Sequence, residues 1–206
     1  MARRPDPHAR QRILDTATRL FDTHGVHAVG LQQIIDELGC GKNLLYREFA
    51  TKDDLVGAYL QRCRDNWSSI IASATAPLPD DPAGQLVAIV RTTVQYATAP
   101  GYRGCPVHNA HAEFPDATHP AYPIAVEHFT AVQDLLFDLA KDAGAADPKV
   151  LADRLALIID GANTNGAALG SQGSAVAAVA FAEDVVRAAL DPSRRDPLRT
   201  AGRDPH

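Results

Sequence analysis

Between residues 7 and 24 the apolar positions Ile13, Leu14, Ala17, Leu20 and Phe21 recur at three- and four-residue intervals. That is the period of an amphipathic helix, and Gly25 follows where a C-terminal stop belongs. Leu31, Ile34, Ile35 and Leu38 predict a second, shorter helix over 31–38, interrupted by Gly39-Cys40-Gly41. Leu45 and Phe49 then anchor a third helix over 42–49 and leave Lys42, Asn43, Tyr46 and Arg47 off its apolar side. Thr51 caps a fourth helix, with Asp53 and Asp54 at the positive end of its dipole. Leu55, Tyr59, Cys63, Trp67, Ile70 and Ile71 carry it to about residue 76.

Beyond a proline-rich linker at 77–82, the pattern predicts helices over 83–98, 108–114, 120–143, 147–170 and 174–190. Asp147-Pro148 supplies an N-cap and a first-turn proline. The final stretch from 191 to 206 is polar and is expected to be disordered. No repeat and no strand pattern emerges, so the expected fold is all-α. A helix-turn-helix head over 1–50 is joined by a long helix to a helical body over 51–190.

Composition sharpens this only in part. The chain has 206 residues, is 46% hydrophobic and has only 6% aromatic residues, which suits closely packed helices. The apolar region near 155–169 is broken by Asp160, Asn163 and Asn165 and does not suit a membrane span. No apolar run follows the basic start, so no signal peptide is expected. Cys40, Cys63 and Cys105 have no framework spacing, so a reducing cytoplasm is the expected location. The net charge of -5 argues against indiscriminate nucleic-acid binding. Yet residues 1–65 are close to neutral and begin with a basic run, while the remainder is acidic, which suits DNA contact through the head alone.

Gly41-Lys42 invites a comparison with a phosphate-binding loop. The spacing fails: Asp36 stands where the first glycine belongs, Asn43 where Ser or Thr belongs, and no strand precedes it. Two short helices joined by a glycine-containing turn fit a helix-turn-helix instead, with Gly39 supplying the positive φ.

The residues Arg12-Ile13-Leu14-Asp15-Thr16-Ala17, Leu20-Phe21, Gly25, Ile34, Leu38-Gly39, Leu45-Tyr46-Arg47-Glu48-Phe49 and Lys52-Asp53-Asp54-Leu55 resemble the TetR-type bacterial transcriptional regulators in order and spacing. The region 104–122 also looks like the ligand domain of one subgroup. The resemblance implies an all-helical homodimer that places a recognition helix in each of two major grooves of a double-stranded DNA operator. Lys42 and Asn43 match positions that approach bases, with Leu44 as a methyl contact. Tyr46 and Lys52 match phosphate contacts, and Arg47 reaches phosphate or base. Arg3, Arg4 and Arg10 are expected to form a basic arm. Gly30 and Gly41 replace the usual hydroxyl caps, Ile35 an alanine and Glu48 a frequent histidine.

The same resemblance implies a small-molecule effector held in the body, with Trp67, Tyr96, Tyr102, Cys105, His108, Asn109, Glu113, Phe129 and Asn163 as candidate lining, beside Ile71, Phe114 and Tyr122. Many of these equally suit plain core. Cys105, between Gly104 and Pro106, is open to two readings: a reactive thiol near a helix start or a small buried residue. His108, His111 and Glu113, with Asp116, His119 and His128, raise a metal-dependent enzyme on a helical bundle as the alternative. Their spacing, however, turns Glu113 away from the two imidazoles. No nucleophile elbow or HExxH motif is present, so no catalytic residue, metal or cofactor is expected. The last two long helices are the expected dimer seam, with Gly161, Ala162, Gly166, Ala167, Gly170 and Val176, Val179, Val185, Val186. A small-residue seam within one subunit is the alternative. The functional expectation is a repressor released from a palindromic operator by its ligand.

Overall fold

The computed structural model describes residues 7–191. Arg3, Arg4 and the expected tail from residue 192 onward lie outside the described residues. Those described form the α-helices α1 (Ala9–His24), α2 (Leu31–Leu38), α3 (Lys42–Glu48), α4 (Lys52–Thr75), α5 (Pro82–Ala97), α6 (Pro106–Glu113), α7 (Ala121–Asp142), α8 (Pro148–Leu169) and α9 (Ala178–Leu190). No strand occurs among the described residues.

Local chemistry sets the ends of these helices. Gly25 (φ 86°) and Gly39 (φ 62°) take the positive φ that a Cβ resists, and each ends the helix before it. The Gly39 N–H returns to the Asp36 carbonyl and the Cys40 N–H to that of Ile35, both at 3.2 Å. Thr51 Oγ1 accepts from the Asp54 N–H (3.0 Å) while the Asp54 carboxylate accepts from the Thr51 N–H (2.9 Å), a reciprocal capping box opening α4. Asp81 and Asp147 cap α5 and α8 through the N–H groups of Gly84 and Val150, each with proline at the start of its helix.

The last helix departs from expectation. Residues 170–172 and 174–177 form two 3-10 turns, and the α-helix begins only at Ala178. The Asn165 side chain accepts from the Ala175 N–H (3.0 Å), and Gly173 is extended between the two turns, so the helical pattern read from 174 is broken at its start.

Two compact units result. The first comprises residues 7–70 with 103–130; the second comprises 71–102 with 131–191. The division between the two units falls within α4, after residue 70. The first unit is built around Ile13, Phe21, Ile34, Leu45, Phe49, Leu55 and Leu60, all 3% exposed or less. Ala110 of α6 and Ala121 of α7 enter the same core. Burial of each large member contributes about 1.5–3 kcal/mol, and this recruits α6 and the first part of α7 to the head. In the second unit α5, α8 and α9 pack on one another. Gly166 is needed at the crossing of α8 and α5: a Cβ there would lie 2.5 Å from the Ala97 carbonyl oxygen.

Candidate nucleic-acid interface

The turn between α2 and α3 directs a two-sided helix outward. Leu45 and Phe49 are 0% and 1% exposed and seat α3 in the core. Lys42, Asn43, Tyr46 and Arg47 are exposed, and Leu44 and Glu48 are half-buried at the margins. Lys42 Nζ stands 5.6 Å from the centroid of the Tyr46 ring, so cation and aromatic are presented together. Arg47 donates from Nε (3.0 Å) and Nη2 (2.9 Å) to one oxygen of Glu48. The Glu48 carboxylate is thus partnered by the neighbouring guanidinium. Neither α2 nor α3 has a side-chain N-cap, as Gly30 and Gly41 dictate.

Two further cations bond to backbone carbonyls of the head. Lys52 Nζ donates to the Val26 carbonyl (2.7 Å), beneath the turn that follows α1. Burial there draws its pKa below the usual lysine value, opposed by the Glu113 and Asp53 carboxylates. Arg10 does not extend an N-terminal arm. Its Nη1 donates to the Glu48 carbonyl (2.6 Å) and its guanidinium lies 4.2 Å above the Phe49 ring centroid.

The turn after α1 is held from a distant part of the chain. The Glu113 carboxylate at the end of α6 accepts from the N–H groups of Val26 (3.1 Å) and His27 (2.5 Å). The His27 ring contacts the Glu113 carbonyl (2.8 Å) and stacks on Phe114. On the other side of the turn Arg103 donates to the carbonyls of Asp22 and Thr23, the last turn of α1, where a cation complements the helix dipole. Residues 103–114 therefore satisfy carbonyls with a guanidinium and amides with a carboxylate on one short turn. Sequence reading missed Arg103 altogether and assigned Glu113 to ligand. Beneath this turn Tyr59 donates to Asp22 (2.6 Å). Burial raises the Asp22 pKa, countered by that hydrogen bond and by the charge of Arg62. Burial likewise pushes the Cys63 thiol up to about 12.

The remaining effector candidates fall in both units. In the first, the His108 ring lies 4.5 Å from that of Phe129, Trp67 and Cys105 are half-buried, and Asn109 is exposed with its amide donating to the Arg103 carbonyl (3.0 Å). In the second, Tyr102 donates to Asn163 Oδ1 (2.7 Å), and Tyr96 is 48% exposed. The histidine-rich region does not assemble a metal centre. His111 lies against Tyr122 and Phe129, His119 stacks on Phe114, and Glu113 is taken by the turn. Among the described residues no group of three or more His, Cys, Asp or Glu converges as a metal site.

An exposed two-sided α3 seated behind a glycine turn defines a helix-turn-helix protein. The family model described as bacterial regulatory proteins, tetR family, matches residues 13–59. The crystal structure of a TetR-family transcriptional regulator from Streptomyces coelicolor is 32% identical, with a TM-score of 0.84, covering 89% of this chain and 97% of that one. A putative TetR transcriptional regulator from Streptomyces avermitilis is 26% identical, with a TM-score of 0.76, 88% of this chain and 97% of the other. The HTH-type transcriptional activator FasR of Mycolicibacterium smegmatis is 35% identical over 79 residues, 38% of this chain. An HTH-type transcriptional regulator of Staphylococcus aureus is 45% identical over 56 residues, 27% of this chain. The matches span only 36% and 30% of these two curated relatives. The chain belongs to the TetR family of transcriptional regulators.

Proposed function

We propose that this chain is a ligand-responsive repressor that binds a palindromic operator as a homodimer. The observation that carries the reading is the outward quartet Lys42, Asn43, Tyr46 and Arg47 on a helix whose opposite face, Leu45 and Phe49, is locked in the core. Lysine suits guanine acceptors and asparagine suits adenine, while Tyr46 and Arg47 suit phosphate. Lys52, tied to Val26, holds the turn and has the lesser role at DNA.

The second unit supports self-association. Leu157 and Phe181 are 72% and 59% exposed, and they line a groove of about 970 Å³ with Gly161, Ala168 and Val185. An apolar face of this kind on α8 and α9 suits the matching face of a second copy. The small residues divide between two tasks. Ala162 and Gly166 are buried inside the unit, while Gly161 is left open on the outer face.

The effector reading rests on the first unit. Cys105, His108 and Asn109 stand on or beside α6, between Arg103 and Glu113. A ligand that displaces α6 disturbs both anchors of the turn that braces the head, and so shifts the population away from the DNA-competent form. An apolar or aromatic molecule with a few hydrogen-bonding groups matches Trp67, Phe129 and the imidazoles. Selection of duplexes from random DNA by the purified protein tests the reading. A palindromic consensus with strongly salt-dependent affinity is expected; recovery of no sequence preference refutes it.

A further inference from the structure

The recognition helix is short and unevenly secured. Seven residues are too few to sustain a helix alone, and Gly41 offers no side chain to its N-terminal amides. At the other end the Glu48 carbonyl is one of the acceptors that a helix leaves unpaired. Arg10, from the first turn of α1, supplies its donor at 2.6 Å. The same guanidinium spreads over Phe49, the ring that anchors α3, at 4.2 Å. A cation at this end also opposes the negative pole of the helix.

We propose that Arg10 is a positioning residue for DNA reading: it fixes the pitch and seating of α3 by closing its C-terminus, and makes no phosphate contact of its own. The proposal deepens the DNA-binding reading and rests on it. A planar guanidinium does both jobs at once, with an in-plane N–H to the carbonyl and a flat face on the ring. The lysine ammonium, a compact point charge, does not. Arg10→Lys therefore preserves the charge and removes the function.

The experiment compares wild type, Arg10→Ala and Arg10→Lys. Affinity for the selected duplex is measured across a salt series, and amide exchange of residues 42–50 is followed without DNA. Both variants are expected to bind roughly tenfold more weakly, the size of one lost charge-assisted hydrogen bond. The slope of log affinity against log salt stays at the wild-type value, and amide exchange across 42–50 accelerates severalfold. If Arg10→Ala flattens that slope by about one unit and Arg10→Lys restores it, Arg10 is a phosphate contact and the proposal falls. Unchanged exchange across 42–50 also overturns it. If Arg10→Ala does not fold, the Lys variant decides alone. Should wild type select no duplex, the DNA reading fails, while the exchange result still decides whether Arg10 secures α3.

Discussion

Replacing Glu113 separates a structural anchor from a ligand contact. Its carboxylate accepts two backbone N–H groups, from Val26 and His27. Hydrogen bonds to charged groups contribute about 1.5–3 kcal/mol each, and the half-exposed setting favours the lower bound. Glu113→Ala should therefore lose about 3 kcal/mol. Glu113→Gln, which keeps an acceptor, should lose about half of that. Either is a large share of a typical stability of about 5–15 kcal/mol. Trp67, the single tryptophan, lies in the same compact unit and reports its unfolding. Urea titration at fixed protein concentration should give midpoints in the order wild type, Gln, Ala, with operator affinity falling in the same order. A Glu113→Ala unfolding free energy within about 0.5 kcal/mol of wild type would refute the anchor, as would a Gln variant less stable than the Ala variant. Changed effector affinity with unchanged stability would return Glu113 to the ligand.

Further outcomes follow from other sites. Leu157→Asp with Phe181→Asp should convert the proposed homodimer to monomer in analytical ultracentrifugation while helicity by circular dichroism is kept. Gly166→Ala should lower the melting temperature, because overpacking against Ala97 costs about 1–3 kcal/mol and outweighs a helix-propensity gain of about 1 kcal/mol. Burial, then the charges of Arg64 and His108, draws His128 down to about 4 from the usual histidine value of 6.5. The unfolded chain thus takes up the proton first: the His128 contribution is intact above about pH 6.5 and is lost as pH falls through about 4. His128→Asn should flatten the stability profile across that window. Asn43→Ala should relax base preference at one position of the selected consensus by about 1–3 kcal/mol.

The helical periods of α1 to α5 were legible because each buries a stripe spaced at three and four residues. The helix-turn-helix was legible because Gly39, Leu45 and Phe49 sit at fixed offsets. What escaped reading was long-range pairing between polar groups. Nothing in the period of residues 103–114 announces that Arg103 and Glu113 meet a turn some eighty residues earlier. Glu113 was therefore placed with a ligand. Arg10 looked like one more member of a basic run, since capping the C-terminus of a distant helix leaves no local mark. The late start of α9 escaped because Asn165 takes the Ala175 N–H at the head of an alanine-rich run that by propensity alone favours helix.

The grip of residues 103–114 on the first turn has a consequence for how the chain is made. Residues 1–50 emerge from the ribosome first, but the amides of Val26 and His27 have no carboxylate until Glu113 follows. At about 5–20 residues per second that is a delay of roughly 3–13 seconds. Over this interval the nascent head lacks the carboxylate that pins its first turn, and that fastening is completed only when the middle of the chain arrives.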